Sequence, residues 1–375
     1  MIFYRLKHNT NLFSFDDKIG DVPILLSTLK DCQNDYIKSI GGKIIDILSE
    51  DEIKNKKPYF IFTDDFFFTL SFLKKSIESA KKSTCNLQFC VKKNDLNERY
   101  VLPHKNDSNT YHIFSFYYKI DNDRIELTPI EQSYFKHYNI LPTQMIKGNY
   151  YSMHQTNTIA GHIISPFHLL YLNLAVNLGR TYNQQKIIPK FIKNKFGNPS
   201  SKWFYIGLKR MNKIGKNCQI HPSAIIEGSV IGDNVKIGAN TIVRLSVLGN
   251  DCYISDNVTC INSVLRNKSF IANSNYINSV LCYEEVFVIH GPYHLSVFGR
   301  NSACFAIINC DIRLDANTIK IPTSQGIIDS NQHFLGIAYG HYSKTGGGNI
   351  IAAGRIVPNH KHINPPNHII LKFDK

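Results

Sequence analysis

The sequence predicts two folds in tandem: an α/β domain at residues 1–180 and an all-β solenoid of short repeated strands at 211–375, joined by a basic connector at 181–210. Three features carry that reading. Between Ile214 and Leu281 an aliphatic residue returns about every six positions, and the units group in threes, with Ser-Val pairs beginning at Ser229, Ser246, Ser263, Ser279 and Ser296. Apolar spacing near 3.6 would mark a helix and spacing of two a flat strand, so six-residue units in threes imply three short strands per turn of a solenoid. The pattern resumes near the C-terminus, with units starting at Tyr339, Thr345, Ile351, Val357 and Ile363, after an irregular stretch at 300–335 that reads as an insertion. The first 150 residues instead alternate short apolar runs with polar turns, an α/β pattern.

In the first domain Met1–Leu6, Lys43–Leu48, Tyr59–Thr63, Leu87–Val91 and Tyr111–Ile120 read as strands. Leu70, Leu73, Ile77 and Ala80 repeat at helical spacing behind Thr69, a capping residue. Each solenoid unit offers one aliphatic side chain to the inside, and no coil buries that residue alone, so its stability comes from stacking on neighbours. Gly215, Gly232, Gly238 and Gly249 follow aliphatic positions and suit tight corners.

A chain of 375 residues, 43% hydrophobic and 19% charged, is an ordinary globular composition. No apolar run reaches the roughly 18 residues of a membrane helix, and the N-terminus lacks a signal-peptide pattern, so a cytoplasmic protein is expected. Nine cysteines without CxxC spacing fit unpaired thiols better than disulfides or zinc. The net charge of +14 is concentrated between Lys186 and Lys216, which hold nine Lys/Arg and no Asp or Glu. That run is either a solvated linker or a phosphate-facing patch. No nucleic-acid-binding module is recognisable.

The string SVIGDNVKIGANT resembles the hexapeptide-repeat family of acyltransferases and sugar-nucleotide enzymes. That resemblance implies a left-handed parallel β-helix assembled as a homotrimer. The segment YFIFTDDFFFTLSFLKKSI resembles the strand–Asp–helix segment of sugar-1-phosphate nucleotidyltransferases, a Rossmann-like α/β fold. It implies that Asp65, with Asp64 beside it, holds Mg²⁺ between phosphates at the carboxyl end of a strand. GHIISPFHLLYLNLAVNLG is similar to the segment by which that family leaves its sheet: Pro166, Leu169, Leu170 and Asn173 keep the arrangement. His162 stands where the family's second metal-binding Asp falls, and His168 where the helix Asp falls. The family's glycine-rich phosphate loop is absent, with Lys18 and Gly20 as the only nearby substitutes. The resemblance therefore implies a degenerate site that still binds a nucleotide or sugar nucleotide.

Acyl transfer on a solenoid needs a general base, and histidine is the usual one. His294, in YHLSVFGRN, resembles the catalytic histidine string of bifunctional N-acetylglucosamine-1-phosphate uridyltransferases/acetyltransferases, which implies that it is the base. His341, in YGHYSKTGGGN, is the second candidate, while His221 follows a corner motif and reads as structural. His360, His362 and His368 read as an exposed tail. Arg300 and Lys344 are the candidate partners for coenzyme phosphates. The expected function is acetyl transfer from acetyl-CoA to a sugar phosphate or nucleotide sugar; a nucleotidyltransferase with an altered phosphate loop and a non-catalytic ligand-sensing scaffold stay open as alternatives.

Overall fold

The structure is a computed structural model describing residues 1–8, 10–54, 58–94, 97, 107–120, 123–140, 150–187, 202–305, 308–309, 317–324 and 326–365. The chain divides into two compact units, Met1–Ile188 with Thr323–Asn331, and Pro189–Pro322 with Gln332–Lys375. Residues 188–201 of the basic connector and His368 lie outside the described residues.

The first unit contains strands β1 (Ile2–Leu6), β2 (Pro23–Ile24), β3 (Ser27–Thr28), β4 (Lys43–Ile47), β5 (Tyr59–Thr63), β6 (Phe66–Phe68), β7 (Asn86–Lys92), β8 (Tyr111–Lys119), β9 (Ile125–Pro129), β10 (Phe135–Ile140), β11 (Tyr150–Gln155) and β12 (Ala160–His162). Its helices are α1 (Leu29–Ser39), α2 (Leu70–Ala80) and α3 (Pro166–Ile187). The main sheet runs β4-β1-β5-β8-β7-β9, with β4, β1 and β5 mutually parallel and β8 antiparallel to its neighbours. Every residue of β5 is buried, as expected for a central strand covered on both faces. Phe60 stacks on Phe3 at 4.9 Å and on Phe116 at 5.6 Å, so an aromatic core fixes the sheet. This mixed α/β unit matches the α/β expectation of the sequence. One local reading is corrected. The acidic pair Asp64–Asp65 does not lead straight into a helix: β6 intervenes and pairs with β12, setting Phe66 opposite His162. The Thr69 hydroxyl then caps α2 by accepting the Phe72 N–H at 3.5 Å.

The second unit begins with helix α4 (Lys202–Arg210) and continues as eight coils forming parallel sheets, as in a β-helix. Two faces of the solenoid carry eight strands each and the third carries five, with a further pair, Ile308–Asn309 and Ile350–Ile351, in later coils. The ladder thus continues through Asn309, inside the stretch that reads as irregular in the sequence. Side chains alternate: Val243, Cys260, Ile277 and Tyr293 point inward from the third face and are fully buried. The interior turns aromatic toward the C-terminus, where Phe298 stacks on Tyr339 at 4.9 Å. Leu208, the buried end of α4, accepts the Gly228 N–H at 2.8 Å and closes the first coil, as a capping element must in a repeat protein.

The corners explain the sequence pattern. The left-handed residues at the first corner are Asn217, Asn234, Asp251, Lys268, Glu285, Asn301, Tyr342 and His360, with φ between 52° and 59°. Asn and Asp tolerate this conformation best, and the coil register forces the others into it. The glycines serve a different purpose. A Cβ on Gly232 would lie 2.5 Å from Asn250 Oδ1, because the next coil's side chain packs directly over it. The serines form a buried ladder: Ser246 Oγ donates to Arg244 O at 2.9 Å and accepts the Ser263 N–H at 3.1 Å. Ser279 is out of register with the others. It takes the left-handed slot, and Val280 occupies the ladder position, donating its N–H to Ser263 Oγ at 3.1 Å.

Ser246→Ala removes an acceptor and leaves the Ser263 N–H buried without a partner, so the expected destabilisation is about 1–3 kcal/mol. Urea unfolding followed by far-ultraviolet circular dichroism measures it; a change within about 0.5 kcal/mol, as for ordinary surface positions, would contradict the ladder's role.

Candidate functional site

The structure places the two candidate histidines at different corners and in different surroundings. His294 ends the third-face strand Tyr293–His294, in register with Asn278. Tyr293 fills the interior, so alternation turns His294 outward, where it is half-buried with its ring 5.2 Å from that of Tyr276. Its carbonyl accepts the Ser296 hydroxyl at 2.7 Å, which ties the strand end to the buried ladder. The imidazole is thus held on the outer surface by a rigid element, the placement a base acting on a soluble substrate requires.

His341 occupies the first corner, in the column of side-chain acceptors that includes Asp233, Asn250, Asn267 and Asn359. Asn250 Oδ1 accepts the Asp233 N–H at 2.9 Å, and Asn359 Oδ1 accepts the His341 N–H at 2.7 Å. His341 performs the same task for the preceding coil: its Nδ1 accepts the Arg300 N–H at 2.7 Å, with the ring 5% exposed and edge-on to Tyr283. A proton taken at Nδ1 would break that bond. Arg300 thereby meets His341 through its backbone, while its guanidinium lies 3.6 Å from Glu284 and over the Tyr283 ring. Lys344 is exposed on the second face, between Ala303 and His362 in register. Arg300, His341 and Lys344 therefore belong to one corner region and His294 to another. His362 lies in a strand of the last coil and His360 at its corner, stacked on Tyr342 at 4.9 Å, so neither is a loose tail.

An open groove of about 900 Å³ lies on the second face of the first coils, and none of these residues lines it. It includes His221, whose Nδ1 lies 2.8 Å from Ser223 Oγ. Burial pushes the thiols of Cys260 and Cys304 up to about 12, so these interior cysteines are packing residues and supply no thiolate.

In the first unit Asp65 sits in the turn between β5 and β6. Its Oδ2 accepts a hydrogen bond from His162 Nδ1 at 2.9 Å, and His162 Nε2 accepts the Ser115 N–H at 3.0 Å. The second bond fixes the tautomer: Nδ1 carries the proton and both ring nitrogens are engaged. Burial raises the Asp65 carboxyl, but His162 more than offsets it and holds the group at about 2. Burial also raises Asp64, opposed by a hydrogen bond from the His8 backbone. The His8, Asp64 and Asp65 ligand atoms lie within 4.8 Å of one another. Asp64 also lines a cavity of about 360 Å³ with Lys7, Lys18, Gly20 and Lys30. Lys18 and Lys30 are exposed and make no ion pair among the described residues. This cavity opens where β1 and β5 end side by side, the place where ligands gather in such sheets. His8 and Lys30 escape sequence reasoning; the available signal is a histidine two residues beyond a strand next to the one that ends in Asp-Asp.

The corner geometry separates two variants of one residue. His341→Asn restores the acceptor found elsewhere in the column and is expected to stay within about 0.5 kcal/mol of wild type. His341→Ala leaves the Arg300 N–H unpaired and is expected to cost about 1–3 kcal/mol. Equal unfolding midpoints for the two variants would refute the capping role.

Residues 213–244 match the model of the bacterial transferase hexapeptide (six repeats) family. No curated protein matches the sequence. Among solved structures, the chain is similar to a Bacillus cereus protein assigned as an acetyltransferase, at 13% identity over 40% of this chain and 77% of that one, with a TM-score of 0.22. It is also similar to a mutant GDP-perosamine N-acetyltransferase from Caulobacter crescentus in complex with CoA and GDP-perosamine. There the identity is 12% over 43% of this chain and 58% of that one, with a TM-score of 0.14. By sequence, the first two coils of the solenoid carry the bacterial transferase hexapeptide repeat.

Proposed function

We propose that this protein is an acyltransferase whose solenoid moves an acetyl group from acetyl-CoA to the amine or hydroxyl of a sugar phosphate or nucleotide sugar. The observation that carries the reading is an eight-coil hexapeptide solenoid whose first coils match a transferase repeat family. A packed aliphatic and aromatic interior admits no substrate, so the reaction belongs to an outer face. The acceptor must lose a proton as it attacks the thioester carbon, and the coenzyme leaves as a thiol. His294 is the base in this reading, because it points outward from a rigid strand end whereas His341 Nδ1 is committed to the Arg300 amide. Arg300 and Lys344 are the cationic side chains offered to coenzyme phosphates, Lys344 being exposed on its face. The acceptor class follows from the first unit's resemblance to sugar-1-phosphate nucleotidyltransferases and from its lysine-lined cavity.

The protein acts as a homotrimer in this reading. Ile225 and Tyr253 are 40% and 44% exposed on outward faces, and Tyr253 continues into Phe270 and Phe287 as a surface column of rings at 5.1 and 4.9 Å. Such apolar columns gain from burial against a second copy. The unpaired thiols suit a reducing compartment such as the cytoplasm. No helix among the described residues is long and apolar enough to cross a membrane.

His294→Ala is expected to lower thiol release from acetyl-CoA by about 10²–10⁴ with a matched amino-sugar nucleotide, at unchanged melting temperature. Unchanged turnover would exclude His294 as the base, and no thiol release from the wild type with any amino- or hydroxyl-sugar acceptor would favour a scaffold. Sedimentation equilibrium of the full chain at micromolar concentration is expected to give three times the monomer mass; a monomer would remove the trimer.

A further inference from the structure

We infer that His8, Asp64 and Asp65 form a binding site for a borderline divalent transition ion such as Zn²⁺, in preference to Mg²⁺. The inference is independent of acyl transfer on the solenoid. Asp64 N donates to Leu6 O at 3.0 Å, which carries the β1–β5 ladder one residue past the strands. That contact brings His8, two residues beyond β1, alongside the β5–β6 turn, and it places three potential ligand atoms within 4.8 Å of one another.

The second observation is the state of the carboxylates. Asp64 is only 8% exposed, and its Oδ1 is buried without a hydrogen-bond partner; Asp65 Oδ1 is also buried without one. Buried polar atoms are satisfied with few exceptions, and two adjacent carboxylates with orphaned oxygens call for positive charge. The cations nearest along β1 do not supply it. Arg5 and Lys7 both bind Asp46, each at 2.7 Å. His162 is committed to Asp65, its two nitrogens being taken by Asp65 Oδ2 and the Ser115 amide, which leaves the orphaned Asp64 oxygen to be met by another cation. His162 acts as an outer-shell group that orients Asp65, leaving Oδ1 directed elsewhere.

The donor set decides the ion. Mg²⁺ prefers near-octahedral oxygen ligands, whereas one imidazole nitrogen with two carboxylate oxygens suits Zn²⁺ and its neighbours. The Mg²⁺ expected from the sequence resemblance therefore fits these residues poorly. Metal–ligand bonds of about 2.0–2.2 Å need the three atoms closer than they stand, and His8, which is exposed, can turn inward without disturbing the core. Three protein ligands leave a position open toward the cavity that Asp64 lines.

Calorimetric titration of the chelator-treated full chain tests the site, with Co²⁺ absorption as an independent readout of the ligand set. The expected result is a Zn²⁺ site that Mg²⁺ in large excess does not fill, weakened at least about tenfold in both His8→Ala and Asp64→Asn. Both substitutions leave the aromatic core intact, and unchanged far-ultraviolet circular dichroism confirms it. Zn²⁺ binding equal in wild type and both variants would assign the ion to other residues, such as the exposed His360 and His362, and overturn the inference. Absence of binding, or Mg²⁺ bound as tightly as Zn²⁺, would overturn it as well.

Discussion

The solenoid depends on one repeated constraint: at its corners the backbone must turn sharply, and the N–H groups exposed by the turn must find acceptors in an adjacent coil. Asn250 serves Asp233, Asn267 serves Asn250, and Ser246 serves Ser263. Each bond contributes modestly, yet each lies in the interior or against a neighbouring coil, where an unpaired amide is costly. The columns of Asn, Asp and Ser therefore follow from coil geometry. They also account for a histidine at position 341. Imidazole Nδ1 is another acceptor at the required place, and Asn359 continues the column after it.

The same constraint limits where chemistry can occur. Inward positions are filled by Ile, Val, Leu, Cys and aromatic side chains with essentially no exposure, and burial keeps the cysteines protonated. Corner positions are occupied by side chains already bonded to the next coil. What remains is the outward set on the faces, and on the third face that set runs through Glu227, Arg244, Ile261, Asn278 and His294. Glu227 and Arg244 neutralise one another at 2.7 Å. His294 is the member of the column with an imidazole, the usual general base in such chemistry. In the first unit a different geometry applies. Two parallel strands end together, and their loops deliver a histidine and two carboxylates to one place.

Much of the fold is legible in the sequence because its signals are local or strictly periodic. The apolar run at Tyr59–Thr63 and the apolar spacing from Leu70 to Ala80 mark β5 and α2 to the residue, since core burial and the Thr69 cap both act within a few positions. Helix α1 is obscured because its buried face mixes Leu29, Cys32 and Ile37 with the buried amide of Gln33. The repeat is plain, but the Ser-Val string at Ser279 misleads. A corner accepts either Asn262 or Ser279 in its left-handed slot, and valine can take the ladder position through its backbone N–H, so the string shifts by one residue without breaking the coil. His8 is invisible beside Asp64 because their neighbourhood depends on β1 and β5 being adjacent. The role of His341 is likewise set by a partner 41 residues away, Arg300.

The most direct test of a solenoid that uses coenzyme A is calorimetric titration of the full chain with coenzyme A alone, before any acceptor is known. Saturable binding at one coenzyme per chain is expected, weakened when Lys344 or Arg300 is replaced by alanine and retained in His294→Ala. Absence of binding at millimolar coenzyme, or binding indifferent to both cationic residues, would contradict this expectation.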